Sequence, residues 1–283
     1  MPRQGRPFPL ALAAALLLAP GASVGAPAPP AAGSTSPPAH RNISGALFLG
    51  SFPVENHLSG SLFPAAGARV GVTLRFPAGR PGASNELARR LRIPVGADGT
   101  QVLPATAYPA ARDKPARQHR QPSFLIDYDE PTFKPVIDAA RASLGAAPAV
   151  DALVRFADQY ITKKGFGRGF DIASVVATRR EGDCTEHAVL LTALARAFGY
   201  PARVVEGIVL VEVEGQVHAF GHAWSEVYVK SGWRRADAAL PGDLPLVYLP
   251  LELITDEGPG FAMSIAQTGA GTIAVQGILV SNR

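Results

Sequence analysis

The stretch GDCTEHAVLLTALARAFGYP, residues 182–201, contains the clearest helix signal in the chain. Asp183 is a favourable N-cap residue, and Glu186, three positions later, can complete a capping box. The glycine and the proline near the end of the stretch are typical helix stop signals. Between these signals the apolar residues recur on one side: Ala188, Leu191, Leu194, Ala195 and Phe198. The stretch therefore predicts a helix that buries this face and has Cys184 in its first turn.

The segments around this helix predict the rest of the main domain. Residues 202–212, 219–230 and 233–240 have strand patterns, and the Lys-Ser-Gly turn at 230–232 joins the last two as a hairpin. Upstream, residues 150–161 repeat apolar side chains with helical spacing. Helices followed by antiparallel strands predict an α+β fold in which the helices pack on the sheet.

The N-terminal part of the chain divides by composition. Residues 1–26 resemble a signal peptide, because two arginines precede the ten-residue apolar run Leu10–Ala19 and small residues follow. Residues 27–39 are rich in Pro, Ala and Ser and predict a flexible linker. Residues 40–128 alternate apolar and polar side chains in places and predict a small β-rich region. Residues 129–283 then form the main domain with a C-terminal extension.

These signals predict an exported protein, periplasmic or secreted. The apolar run is too short to span a membrane comfortably, so we expect no stable membrane insertion after cleavage. An uncleaved N-terminal anchor is the alternative. Removing residues 1–26 lowers the formal charge from +4 to +2, because two arginines and no acidic residues leave. Such a small excess does not favour nucleic acid as a partner.

Cys184 is the only cysteine of the 283 residues, so no internal disulfide can form. The residue is either a small buried apolar side chain or a thiol kept for chemistry. At a helix start, unpaired N–H groups and the helix dipole favour a thiolate. The carboxylates of Asp183 and Glu186 oppose it, since like charges repel. A positively charged neighbour is therefore needed.

His222 can be that neighbour, because it lies on the second predicted strand and shares a face with Trp224. Its imidazole can take the thiol proton and pass it to a leaving amine. Asp237 follows across the hairpin, where its carboxylate can bind the other ring nitrogen and fix the tautomer. Trp224 either lines a substrate groove or packs in the core, and the sequence favours neither reading.

A zinc site is a rival reading of the same region. Cys184-x-x-His187 and His218-x-x-x-His222 have the ligand types and local spacings of such a site. Nothing in the pattern makes the two pairs converge, so we expect no metal and no other cofactor. We also find no cluster of acidic residues suited to calcium.

Four blocks of sequence stand out along the chain: GDCTEHA at 182–188, GYPARVV at 199–205, HAWSEVY at 222–228 and GWRRAD at 232–237. They resemble the transglutaminase-like superfamily and appear in the family's order. The resemblance covers roughly residues 122–240 and implies a papain-like α+β core with Cys184, His222 and Asp237 as catalytic triad. After the aspartate the family usually has Pro-Thr or Ala-Thr, whereas this chain has two alanines.

The expected function is cysteine-dependent acyl transfer at peptide or isopeptide amides of a peptide or protein substrate, through a thioester intermediate. Hydrolysis is slightly favoured over transfer to an amine. The alternatives are a cross-linking transglutaminase, whose acceptor is an amine, and a non-catalytic binding module on the same fold. The sequence leaves the oligomeric state open.

Overall fold

The computed structural model describes residues 50–52, 54, 69–75, 86–92, 100–104, 108–165, 170–242, 246–254 and 274–281. All of them belong to one compact unit that spans residues 44–283. The predicted signal peptide, 1–26, and the predicted linker, 27–39, lie outside the described residues. In the described part of the chain no helix is both long and apolar enough to cross a membrane.

Five helices are described, in chain order: α1 Glu86–Leu91, α2 Lys134–Leu144, α3 Val150–Tyr160, α4 Ala173–Arg179 and α5 Cys184–Ala197. The helices predicted over residues 150–161 and from Cys184 onward are confirmed by α3 and α5. A short 3₁₀ helix, Arg117–Arg120, precedes α2.

The ten described strands are β1 Gly50–Phe52, β2 Arg69–Arg75, β3 Thr100–Pro104, β4 Lys163–Lys164, β5 Glu181–Gly182, β6 Ala202–Val213, β7 Gln216–Val229, β8 Gly232–Ala236, β9 Leu246–Ile254 and β10 Ala274–Ser281. Five of them form the main antiparallel sheet, in the order β1, β7, β6, β9, with β8 also paired to β7. The strands β10, β2 and β3 form a second antiparallel sheet, and β4 pairs with β5 in parallel.

The hairpin between β6 and β7 is tighter than the sequence predicts. Strand β7 begins at Gln216 rather than at residue 219, because the chain turns at Glu214 and Gly215. Both residues have positive φ angles, 51° and 74°. Such backbone angles are those of the two-residue turns that match the twist of paired strands. Strand pairing therefore starts directly at the turn and runs unbroken from Val213 to Ala202.

Helix α5 is the central element of the core. Every residue from Cys184 to Arg196 is buried, because α3 and α4 pack on one side and β6 and β7 on another. On the sheet, the Ser225 hydroxyl bridges Thr192 Oγ1 and the Ala188 carbonyl of α5, both at 2.9 Å. The fold is α+β, with helices packed on an antiparallel sheet, as the sequence predicts. This packing holds the start of α5 against the middle of β7.

Candidate active site

The start of α5 is fixed by the predicted capping box. Asp183 Oδ1 accepts a hydrogen bond from the Thr185 N–H at 2.8 Å, and Glu186 Oε2 accepts one from the Asp183 N–H at 3.0 Å. These reciprocal bonds satisfy donors that the helix itself leaves without acceptors. Cys184 is consequently the first helical residue, with its backbone N–H at the positive end of the helix dipole.

The residue directly before this cap, Gly182, has no room for a side chain. Its φ angle is +156°, and a Cβ atom placed there would lie 2.3 Å from Cβ of Glu186. That contact is far shorter than atoms tolerate, so any side chain at residue 182 would displace Glu186 from the cap. The glycine of the Gly-Asp-Cys sequence thus allows the capping carboxylate to fold back over the chain.

Cys184 is fully buried, with an exposed fraction of 0%. Burial raises the pKa of its thiol, and the neighbouring charge of Asp183 raises it further. A hydrogen bond from the backbone N–H of Ala223 acts in the opposite direction. Ala223 directly follows His222 on β7, so the sulfur lies against the strand that carries the predicted base. In this environment the thiol needs a proton acceptor before it can act as a nucleophile.

His222 and Asp237 are joined by a hydrogen bond. His222 Nε2 lies 2.8 Å from Asp237 Oδ2, and both side chains are buried. Burial alone would raise the pKa of Asp237, but the charge of His222 and the hydrogen bonds lower it to about 2. A carboxylate accepts the Nε2 proton, which leaves Nδ1 as the ring nitrogen that can exchange a proton with a thiol.

Asp237 is held by three further donors. The Tyr248 hydroxyl donates to Oδ2 at 2.7 Å, and the N–H groups of Ala239 and Leu240 donate to Oδ1 at 2.9 and 3.1 Å. Two of these donors are backbone groups, which any residue except proline supplies. The backbone N–H of Ala239 therefore donates to the carboxylate although this residue has no polar side chain.

Aromatic side chains enclose the histidine. Trp224 has an exposed fraction of 0%, and its ring centroid lies 6.2 Å from that of His222. Tyr248 lies at 6.1 Å from His222, and the Tyr108 hydroxyl accepts a hydrogen bond from Trp224 Nε1 at 3.0 Å. Trp224 thus packs behind the histidine, and its predicted substrate-binding role stays a prediction. Tyr108 and Tyr248 escaped the sequence reasoning, because neither stands in a recognisable motif.

A second buried cluster lies on the same face of β7. Glu226 binds Arg90 Nη1 at 2.6 Å, Arg203 Nε at 2.9 Å and the Tyr108 hydroxyl at 2.5 Å. We call these four residues the Glu226 cluster. Arg90 and Tyr108 come from the predicted β-rich region, 40–128, and β1 of that region pairs with β7. The boundary at residue 128 stays a prediction.

The residues of the rival zinc reading have other partners. His187 Nδ1 donates to the Asp183 carbonyl oxygen at 2.5 Å, and His222 binds Asp237. His218 lies at an exposed position of β7 and stacks on Phe220. Among the residues that the structure describes, no group of three or more His, Cys, Asp or Glu side chains is arranged to hold a metal ion.

Comparison with known proteins gives a family match over the core. Residues 135–238 match the transglutaminase-like superfamily. A structure from Cytophaga hutchinsonii, provisionally assigned as a cysteine protease, is 19% identical with a TM-score of 0.38 over 58% of this chain and 52% of that one. The periplasmic domain of TgpA from Pseudomonas aeruginosa, bound to ethylmercury, is 23% identical with a TM-score of 0.28, over 37% of this chain and 42% of that one.

The matched part spans about half the length of each of these structures. No curated protein sequence matches the chain. The family match contains Cys184, His222 and Asp237, and it begins at the second residue of α2 and ends just after β8. Residues 135–238 of this chain are therefore similar to the core of the transglutaminase-like superfamily.

Proposed function

We propose that this protein is an exported cysteine-dependent acyl-transfer enzyme with Cys184 as nucleophile, His222 as general base and acid, and Asp237 as the group that orients the histidine. The observation that carries the proposal is the bond of 2.8 Å between His222 Nε2 and an Asp237 carboxylate that three other donors hold. This bond fixes the tautomer in which Nδ1 is free of its proton. The transglutaminase-like core supports a cysteine-dependent enzyme at the level of the family.

The proposed reaction has two halves. His222 Nδ1 takes the thiol proton while the sulfur attacks the substrate carbonyl carbon, a C–S bond forms, and the carbonyl electron pair moves to oxygen. The backbone N–H of Cys184 donates to this oxyanion. When the oxyanion collapses, the C–N bond breaks and the amine leaves with the proton from His222. Water, or a second amine, then gives a proton to His222, attacks the thioester and releases the thiolate.

Hydrolysis is the outcome we favour, with peptide or isopeptide amides as substrates. The signal-like pattern of residues 1–26 supports export to a compartment where such substrates occur. Incubation of the protein with a glutamine-containing peptide and a separate fluorescent primary amine distinguishes hydrolysis from transfer to an amine. Cleavage of a peptide or isopeptide amide, or release of ammonia, without amine incorporation agrees with the proposal. Amine incorporation faster than hydrolysis would make the protein a cross-linking enzyme.

Labelling of Cys184 with iodoacetamide tests the nucleophile and its base. We expect labelling to persist well below about pH 8.5, where free thiols ionise, and to be lost in His222→Ala. His218→Ala is the matched control, because this histidine is exposed on the same strand. Since Cys184 has no exposed surface, the side chains that cover it must move before any reagent reaches the sulfur.

An ordinary thiol profile in both the parent protein and His222→Ala would contradict the proposal. The protein would then fit a binding module, and Cys184→Ala would leave its function intact. Slow labelling alone does not establish a binding module, because a buried cysteine also reacts slowly. Intact-mass spectra of the protein labelled in low urea check whether Cys184 becomes accessible when the fold loosens.

A further inference from the structure

His187 is a fully buried histidine in the first turn of α5 with no part in the proton transfers proposed above. Its Nδ1 lies 2.5 Å from the carbonyl oxygen of Asp183. A carbonyl oxygen only accepts hydrogen bonds, so Nδ1 carries the proton. Burial lowers the pKa of His187, which keeps the ring neutral. Nε2 is buried and makes no hydrogen bond to the described residues. The bond to Asp183 is therefore the one polar contact of this ring within them.

The Asp183 carbonyl belongs to the peptide unit whose N–H is that of Cys184. A peptide unit is planar, so a bond that fixes the direction of its C=O also fixes the direction of its N–H. The same carbonyl accepts the backbone N–H of His187 at 3.2 Å. Two donors on one carbonyl polarise the peptide, which makes its N–H a stronger donor.

The cap leaves this N–H available. The Asp183 side chain engages the N–H groups of Thr185 and Glu186. The N–H of Cys184, at the first helical position, has no acceptor in the helix itself. It is the donor that the proposed reaction directs at the oxyanion.

We infer that His187 is a positioning residue that aims and polarises the Cys184 N–H for the oxyanion by holding the Asp183–Cys184 peptide from its carbonyl side. This inference rests on the proposed function and adds a residue to its machinery. In this role His187 acts through the Asp183–Cys184 peptide alone.

Two reagents that react with the Cys184 sulfur distinguish the positioning role of His187 from a purely structural one. Iodoacetamide alkylates a thiol by direct displacement, and no oxyanion forms. p-Nitrophenyl acetate acylates the same thiol through a tetrahedral oxyanion: the thiol gives its proton to His222, the sulfur forms a C–S bond to the acetyl carbon, and the C–O bond breaks as nitrophenolate leaves. Loss of an oxyanion donor should slow the second reaction and spare the first.

His187→Leu removes the Nδ1 donor, and His187→Asn keeps an N–H close to the same place. We expect His187→Leu to slow acetylation of Cys184 by about tenfold or more, since removal of a whole oxyanion donor costs about 10² to 10³. Alkylation should stay within about twofold of the parent rate, and His187→Asn should recover most of the acetylation rate. If His187→Leu does not fold, His187→Gln replaces it, because the longer side chain carries its N–H away from the Asp183 carbonyl.

Three results would overturn the inference: both reactions slowed equally, neither reaction slowed, or acetylation slowed as much in His187→Asn as in His187→Leu. Failure of the proposed function has a different signature. In that case Cys184 of the parent protein would react with both reagents as an ordinary thiol, and His222→Ala would not change either rate.

Discussion

Two buried charged clusters lie on one face of β7, and they differ in how permanent their charges are. The first is the His222–Asp237 pair, and the second is the Glu226 cluster with Arg90, Arg203 and Tyr108. An arginine stays charged at any pH that a protein survives, whereas an imidazole gains and loses its proton near neutrality. We therefore expect the Glu226 cluster to stabilise the fold, whereas the His222–Asp237 pair is the cluster that the proposed reaction uses.

The largest effect that this comparison predicts is on the rate at which Cys184 is acetylated. Asp237→Asn replaces the carboxylate that orients His222, and the acetylation rate of Cys184 by p-nitrophenyl acetate should fall about 10³- to 10⁴-fold, by analogy with serine protease triads. The measurement is single-turnover labelling followed by intact mass. Asp138→Asn, a half-exposed carboxylate on α2, is the control. A loss smaller than about tenfold would remove Asp237 from the triad, since tautomer control is expected to dominate.

Glu226→Gln should act on stability instead. The neutral amide would leave the guanidinium groups of Arg90 and Arg203 buried beside it, and breaking such a pair costs about 3–5 kcal/mol of unfolding free energy. Urea denaturation measures the loss, and the acetylation rate per folded molecule should stay near that of the parent. Asp138→Asn again serves as control, because its exposed ion pair with Lys134 contributes only about 0.3–0.5 kcal/mol. Equal losses in the two variants would contradict the structural role of the Glu226 cluster.

The unfolding free energy should depend on pH through the protonation of Asp237. Burial acts to raise its pKa, but His222 and the hydrogen bonds lower it to about 2 in the folded protein, below the ordinary value of 3.8. A lowered folded-state pKa stabilises the fold above pH 4, and this stabilisation is lost as the pH falls toward 2. The shift corresponds to about 2 kcal/mol.

The unfolding free energy of the parent protein minus that of Asp237→Asn isolates this contribution. The difference should shrink by about 2 kcal/mol between pH 7 and pH 2, following the linkage between proton binding and folding. Other carboxyl groups do not interfere, although burial raises the pKa of Glu206 to about 7 and that of Glu186 also to about 7. Both remain in the two proteins compared. A difference that does not vary with pH would contradict the lowered pKa of Asp237 in the folded protein.

A substitution at Gly207, next to the Trp224 side chain that contacts both clusters, should have a smaller effect on stability. A Cβ atom at Gly207 would lie 2.1 Å from the Leu249 carbonyl oxygen and 2.8 Å from Trp224 Cη2. Trp224 packs on His222 and donates to Tyr108 of the Glu226 cluster, so Gly207→Ala should disturb both. Overpacking of this kind costs about 1–3 kcal/mol. Gly165→Ala is the control, because no atom lies within 4 Å of its Cβ position.

The fold was predictable where local signals are strong. Asp183 and Glu186 predict the start of α5, and the observed capping box confirms this prediction. The start of β7 was misplaced because the positive φ of Glu214 is a property of the folded turn and not of glutamate. The Glu226 cluster was not predicted at all, since Arg90 stands 136 residues from its partner. Ion pairs over such a separation leave no periodic pattern in a chain.

The sequence by itself determined the order of the blocks, the helix that begins at Cys184, and the hairpin that brings Asp237 back toward His222. These features follow from contacts between near neighbours in the chain, such as caps, turns and strand alternation. Only the tertiary structure decided that the sulfur lies against Ala223 and that Tyr248 donates to Asp237. Burial and hydrogen-bond partners depend on the packing of distant segments, which local sequence does not encode.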